Sequence, residues 1–223
     1  IWENDFMAKV DLDYIRNKLG IFYLKLIKKK VLKILIFCPQ RTFSNYFESF
    51  LTKNFYLEVI NSPDVIKTYD NPLHKHSLNT SPILQEKYNN DNYIIFLLYK
   101  NSNFWINSLN RNEMDFFNQF LKFYKINIKR DDKISLKSYH KNWYETWIKN
   151  LKNFSNVEFI NHQQTFNYKN QISLFNYLNS KYSIISKGKM KLPNKVRRNS
   201  LFKINRYEKK TNFDEYSKYF KII

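Results

Sequence analysis

Between Lys187 and Lys210 the chain carries ten Lys or Arg residues against one acid, Glu208. Cations this close repel one another and give a compact free domain no advantage, so the chemistry they suit is neutralisation of a polyanion. The plain alternative is a solvated basic tail. Against it stands the punctuation of the run. Gly188 permits a tight or positive-φ turn, and Pro193 fixes its own φ and pushes Leu192 into an extended conformation. Ser200 to Ile204 then alternates, with Leu201 facing one way and Phe202 and Ile204 the other. The pattern is that of an extended basic hairpin or loop.

Other reactive residue types are sparse. His74 and His76 form an H-K-H pair, a spacing that suits zinc, but no third ligand of suitable type stands nearby. His140 fits no catalytic arrangement and reads as a turn residue. Cys38 is the single cysteine, so there is no disulfide framework and no thiolate zinc site, and after an apolar run it reads as a small buried hydrophobe. With only Gly20 and Gly188, no Gly-rich nucleotide loop is possible, and the Walker-type, H-E-x-x-H and G-x-S-x-G patterns are absent. The carboxylates are scattered among Lys and Asn. The expectation is a protein that is not an enzyme and holds neither cofactor nor metal.

Composition bounds the class. The 223 residues can bury a substantial core, and the net charge of +19 points to nucleic acid or an anionic membrane surface. Aromatic residues make up 18% of the chain, and Phe, Tyr, Ile, Asn and Lys dominate throughout. That uniform bias reads as codon usage in an AT-rich genome, favouring an organelle, and Ile1 in place of Met fits a non-standard start. No apolar run approaches the roughly 20 residues that span a bilayer. The acid-rich N-terminus is not an import presequence.

Periodicity predicts the elements. Asp5 to Leu19 reads as a helix with Gly20 as its left-handed end. Ile21 to Ile27 alternates as a half-buried strand broken by Lys28-Lys29-Lys30, a solvated turn or a phosphate contact. Val31 to Phe37 reads as a strand, then comes a helix capped by Thr42 or Ser44 and carrying Phe43, Phe47 and Phe50, and then a strand at Tyr56 to Ile60. Ser62 to Asn92 is a long loop. Tyr93 to Tyr99 is a strand, and Asn112 to Tyr124 an amphipathic helix with Met114, Phe117, Leu121 and Tyr124 on one face. Lys125 to Tyr139 reads as a strand or hairpin. A helix with an Asn142–Glu145 capping box follows, with Trp143, Trp147 and Leu151 on one face. Val157 to Ile160, Gln171 to Leu178 and Tyr182 to Ser186 complete the series as strand, helix and strand.

The basic stretch also resembles a family, the universal small-subunit ribosomal protein S-ten. Its signature runs G-P-I-P-L-P-T-K, a short basic spacer, then T-V-L-R-S-P-H-x-D-K-K-S-R-E-Q-F. Gly188, Leu192, Pro193 and Lys195 match the first part. Ser200-Leu201-Phe202-Lys203 resembles T-V-L-R, Glu208-Lys209-Lys210-Thr211 resembles D-K-K-S, and Asp214-Glu215-Tyr216 is similar to E-Q-F one residue late. Ile204-Asn205-Arg206 replaces S-P-H, and Lys189 and Lys191 replace both prolines around Met190. Ile134-Ser135-Leu136-Lys137-Ser138-Tyr139 resembles the family's opening strand.

The resemblance implies an α+β fold. A ferredoxin-like S-ten core with a long basic hairpin would occupy residues 131–223, after an α/β lineage-specific extension at residues 1–130. It implies a structural constituent of the mitochondrial small ribosomal subunit head, which binds rRNA and neighbouring head proteins during translation. Contacts to RNA are expected from Lys187, Lys189, Lys191, Lys195, Arg197, Arg198, Lys203, Arg206, Lys209 and Lys210, with Met190, Phe202 and Tyr207 as wedges. The family continues with further strands and a helix where this sequence ends, seven residues past Tyr216. A second chain docking on Lys133 to Tyr139 is therefore expected to complete the sheet, and the competing expectation is that Val31 to Ile60 folds into the gap. The rival function is a basic accessory subunit of an organellar membrane complex.

Overall fold

The computed structural model describes residues 12–40, 42–62, 66, 68–69, 71, 73–111, 115–129, 132–162 and 168–192. Within them lie six helices and a four-stranded, wholly parallel sheet. In chain order these are α1 (Leu12–Leu26), β1 (Lys33–Phe37), α2 (Ser44–Asn54), β2 (Glu58–Val59), β3 (Tyr93–Tyr99), α3 (Ser102–Arg111), α4 (Asp115–Phe123), α5 (Lys133–Leu151), β4 (Val157–Asn161) and α6 (Tyr168–Tyr182). The mixed α and β character expected from the sequence holds.

The strand order is β2-β1-β3-β4. Lys33 pairs with Tyr93 and Phe37 with Leu97 along the central β1–β3 ladder, and Ile95 pairs with Val157 along β3–β4. Both central strands are apolar on both faces, as a parallel sheet covered by helices on each side requires. Leu35, Phe37, Ile95, Leu97 and Tyr99 face the layer made by α3, α4 and α5. Ile34, Ile36, Ile94, Phe96 and Leu98 face α2 and α6. Phe47 of α2 meets Phe96 edge to face at 5.0 Å, so the unit Val31 to Ile60 is part of the sheet's own packing.

Two expectations are corrected in the first quarter of the chain. α1 runs straight through Gly20 and covers the segment expected as a strand, Ile21 to Ile27. Its buried residues are Asn17, Ile21 and Leu24, a spacing of four and three that belongs to a helix face. The left-handed residue that ends it is Lys28, φ 54°. The Lys29 N–H reaches back to the Leu24 carbonyl at 2.8 Å and the Lys28 N–H to the Lys25 carbonyl, the paired bonds of a Schellman ending. The glycine serves another purpose. A Cβ at Gly20 would lie 2.1 Å from the Tyr56 ring, so the missing side chain makes room for that ring.

The larger correction is at Lys133 to Tyr139, which is the first part of α5 and not a strand. Its buried positions are Leu136, Tyr139, His140, Trp143, Tyr144, Trp147, Ile148 and Leu151, an unbroken three-and-four rhythm. The cap is Asp132, whose carboxylate accepts from the Ser135 N–H at 2.9 Å and from its hydroxyl at 2.6 Å. The apparent alternation at Ile134 and Leu136 misled because Ile134 is 80% exposed. The capping box expected at Asn142 and Glu145 therefore falls inside a helix. With no strand here, the expected docking edge for a second chain is absent too.

Elsewhere α3 (Ser102–Arg111) has no counterpart among the expected elements, whereas α4 falls within the helix expected from Asn112 to Tyr124. Tyr93–Tyr99 is a strand as expected, and Val157 is the first residue of β4. Tyr182 to Ser186, expected as a strand, begins as the last residue of α6 and is reduced to one antiparallel bridge between Ser186 and Phe55. Of the helix expected from Asp5 to Leu19, residues 12–19 lie in α1 and residues 5–11 lie outside the described residues.

A basic crevice at the carboxyl edge of the sheet

The order β2-β1-β3-β4 reverses direction between β1 and β3. The chain leaves β1 into α2 on one face and leaves β3 into α3 on the other, so the two connections part at the carboxyl ends of the strands, the place where open parallel sheets form a crevice. In open parallel sheets this switch point is where ligands bind. The residues found there are unusual for a protein interior.

Lys100 directly follows β3 and is 3% exposed, and its Nζ donates to the Ser108 hydroxyl at 2.8 Å. The same ammonium stands 4.2 Å from the centre of the Phe43 ring, within the range of a cation–π contact. Phe43 precedes α2 and holds φ 61°, ψ 24°, the left-handed region that bulky residues seldom adopt. Strain of this kind collects at functional sites. On its other side the ring lies 4.3 Å from that of His162, the residue after β4. Thus the ends of β3 and β4 and the start of α2 are joined through Lys100, Phe43 and His162.

A second buried cation arrives from the long loop. Lys75 is 4% exposed, and its Nζ donates to Asn45 in the first turn of α2 at 3.0 Å and to Glu48 at 3.3 Å. Its carbonyl accepts from the Cys38 N–H, which fixes this loop segment at the end of β1. The neighbouring His76 bonds through Nδ1 to the Cys38 carbonyl at 2.8 Å. The turn itself is polar and buried. The Trp105 indole N–H donates to the Gln40 carbonyl at 2.6 Å, while the Gln40 side-chain amide and the Thr42 hydroxyl are buried with no hydrogen-bond partner among the described residues.

All four histidines of the chain, His74, His76, His140 and His162, lie at this edge. His140 bonds through Nε2 to the Lys100 carbonyl at 2.8 Å. Burial is the first cause that keeps these rings neutral, and the nearby ammonium groups reinforce it. His74 is lowered to about 4 by burial and by Lys75. His76 is lowered to about 3, where burial outweighs the opposing Cys38 carbonyl and His74 and Lys75 add to the effect. His140 is lowered to about 4 by burial, with Lys100 adding to it against the opposing bond to the Lys100 carbonyl. His162 falls well below the usual range through burial and the Lys100 charge. Cys38 is pushed up to about 12 by burial, partly offset by Lys75, so its thiol is no nucleophile.

The chemistry on offer is anion binding. The desolvated Lys100 ammonium and two helices that begin beside it with no acid in the first turn of either favour a ligand with negative oxygens, while Lys75 already has Glu48 as its counter-charge. Phe43 supplies no side-chain cap to the first-turn N–H groups of α2. No group of three or more His, Cys, Asp or Glu residues among those described could hold a metal ion.

The residues expected to bind RNA lie elsewhere. The Lys187 Nζ donates to Asn17 at 2.6 Å and to the Thr52 carbonyl at 2.7 Å, and it sits over the Tyr56 ring at 4.8 Å. It ties α1 to the far end of α2 from the crevice. Lys189 and Lys191 are exposed, and the Lys191 backbone is held by both atoms of the Asn54 amide. Gly188 has φ +99°, the turn its type allows. Lys195, Arg197, Arg198, Lys203, Arg206, Lys209 and Lys210 lie outside the described residues.

Sequence reasoning missed Lys75, Lys100, Thr42 and His162 for a physical reason. A phosphate-binding turn is usually announced by glycine, and here Phe43 takes the left-handed position. The available signal was a strand, a short polar turn with Thr and Ser, and a helix. No family model, curated protein or solved structure matches this chain.

Proposed function

We propose that the chain binds a small phosphate-bearing molecule, of the nucleotide class, in the crevice between the β1–α2 and β3–α3 turns. One observation carries this reading: the buried Lys100 ammonium stands at the point where the strand order of a parallel sheet reverses, beside the start of α2. Lys100 is the pairing cation, and the Thr42 hydroxyl and the start of α2 supply neutral donors. His162, kept neutral beside this cation by burial and by the Lys100 charge, adds no positive charge of its own. The test is calorimetric titration of the full chain with ATP, adenosine and inorganic phosphate. Saturable binding of ATP that is lost in Lys100→Met and retained in Lys189→Met supports the site. Equal binding by wild type and Lys100→Met overturns it.

A second reading rests on the net charge of +19 and the basic run from Lys187. In it the chain is a constituent of the mitochondrial small ribosomal subunit, similar to S-ten, and grips rRNA through that run. The ferredoxin-like core of this reading draws no support from the described residues, whose strands are all parallel and come from both sides of residue 130. Its test is independent of the crevice. Affinity for small-subunit head RNA should fall by about 0.7 log unit per log unit of salt for each single-strand phosphate neutralised. Arg197→Ala with Arg198→Ala should flatten that slope, and an unchanged slope removes both residues from the interface. The membrane-complex rival gains nothing from the helices, since none among the described residues is long and apolar enough to cross a bilayer.

A further inference from the structure

One side of α5 borders a cavity of about 420 Å³ lined by none of the switch-point residues Phe43, Lys75, Lys100 and His162. Its size falls in the range of roughly 300–1,000 Å³ found for small-molecule sites. One wall is apolar, made by Leu78, Ile126, Ile128 and the Trp147 ring. The other is a neutral polar stripe along α5. Ser135, Ser138, Asn142 and Thr146 recur at intervals of three and four residues and so share one helical face. Ser138, Asn142 and Thr146 are exposed, which sets the mouth of the cavity on that side.

Between the walls lie Tyr139 and Trp143. Each is mostly buried, and each has a donor, the Tyr139 hydroxyl and the Trp143 indole N–H, with no hydrogen-bond partner among the described residues. Buried donors are rarely left unmet, so each has capacity for an acceptor brought into the cavity. Trp147 differs, since its indole N–H is met by the Ser77 carbonyl at 3.2 Å and its ring stacks on Phe37 at 4.3 Å. Trp147 is thus a fixed floor, while Tyr139 and Trp143 retain unmet capacity.

From this arrangement we infer that the α5 cavity is a binding site for a neutral, hydroxyl-bearing ring compound. Among the described residues no Lys, Arg, Asp or Glu lines the cavity, so they offer a charged ligand no counter-charge there. A purely apolar ligand would leave the Ser, Asn and Thr stripe and both indole and phenol donors unmet. A ring with one apolar face and hydroxyls along its edge satisfies the aromatic wall and the polar stripe together. Sugars and phenols share that chemistry. The inference does not depend on the reading of the crevice, although the two sites are linked through Trp105. That ring stacks on Tyr139 at 5.8 Å and donates to the Gln40 carbonyl.

The test uses nitrogen–proton NMR spectra of the full chain, with the indole resonance of Trp143 assigned by its loss in Trp143→Phe. Cellobiose serves as the neutral sugar, tyrosol as the neutral phenol and benzoate as the charged control, each titrated to millimolar concentration. One neutral probe should move the Trp143 indole resonance to saturation, and which one does so identifies the source of the ring. Ser138→Trp, which fills the mouth, should weaken that probe by about tenfold or more. Asn142→Leu, which keeps α5 intact and removes the rim amide, should weaken the same probe if Ser138→Trp fails to fold. Failure of both neutral probes, benzoate binding as well as either, or unchanged binding in the folded rim variants overturns the inference.

Discussion

His140 couples the crevice to pH. Its Nε2 lies 2.8 Å from the Lys100 carbonyl, so the neutral ring carries its proton on that nitrogen. The folded ring titrates near 4, lowered by burial and by Lys100, whereas in the unfolded chain it titrates near the ordinary 6.5. Between those values the unfolded chain binds a proton that the folded chain refuses. The contribution to stability is therefore complete above about pH 6.5 and is lost as pH falls toward 4, at up to about 1.4 kcal/mol per pH unit. His140→Gln can keep an amide donor toward the same carbonyl. Denaturant unfolding between pH 7 and 5 should show a shallower pH slope in the variant than in wild type. Gly20 makes a second prediction at this scale. Alanine would add helix propensity worth about 1 kcal/mol, but its Cβ would overlap the Tyr56 ring at 2.1 Å. That ring is also covered by the Lys187 ammonium. The overlap outweighs the propensity, and Gly20→Ala should destabilise by about 1–3 kcal/mol in thermal or denaturant unfolding.

At the scale of elements, the short strand β2 shows how a side chain completes a ladder. β2 pairs with β1 only at Lys33 and Ile34. Beyond it, the Asn61 amide takes over: Oδ1 accepts from the Ile36 N–H at 2.9 Å and Nδ2 donates to the Ile36 carbonyl at 2.8 Å. Asn61 is 1% exposed, so no water replaces it. Asn61→Leu keeps the volume but orphans both backbone groups of a central strand, a cost of about 2–5 kcal/mol in equilibrium unfolding. A comparable anchor ties α6 to β4. The buried Glu158 carboxylate accepts from Tyr177 at 3.0 Å, from Lys181 at 2.6 Å and from Tyr182. The Tyr182 phenol is raised by burial and by its bond to this carboxylate. Lys181 is raised as well: burial lowers it, but its bonds to Glu158 and Tyr177 and the Glu158 charge together outweigh that.

For the whole molecule, the layered arrangement predicts an order of protection. β1 and β3 are the central strands, covered on both faces by helices. Their amides should exchange with solvent only through global unfolding. α1 packs through Ile21 and Leu24 and leaves Phe22, Tyr23 and Leu26 more than half exposed, so its amides should exchange earlier, through local opening. Native-state hydrogen exchange measures this directly. Protection of α1 equal to that of β3 would show that α1 belongs to the same cooperative unit.

Much of this architecture is local and so legible in the residues themselves. Apolar runs such as Tyr93–Tyr99 have strand length and no polar interruption, and Phe47 with Phe50 or Leu174 with Leu178 repeat at helical intervals; these periods act through neighbours in the chain. Short-range pattern failed where two periods overlap. Ile21 to Ile27 and Ile134 to Tyr139 alternate on paper, yet in each case burial follows the three-and-four rhythm set by partners far away. The candidate site was beyond any local pattern. Lys75, Lys100 and His162 are ordinary surface-type residues until the sheet order brings the ends of β1, β3 and β4 together. Their burial, and hence their chemistry, comes from that order. Charge and composition pointed to a polyanion from the sequence alone, because net charge is a sum over residues that needs no fold. Which cations are desolvated beside which helix start is a matter of long-range register, and only the tertiary structure decides it.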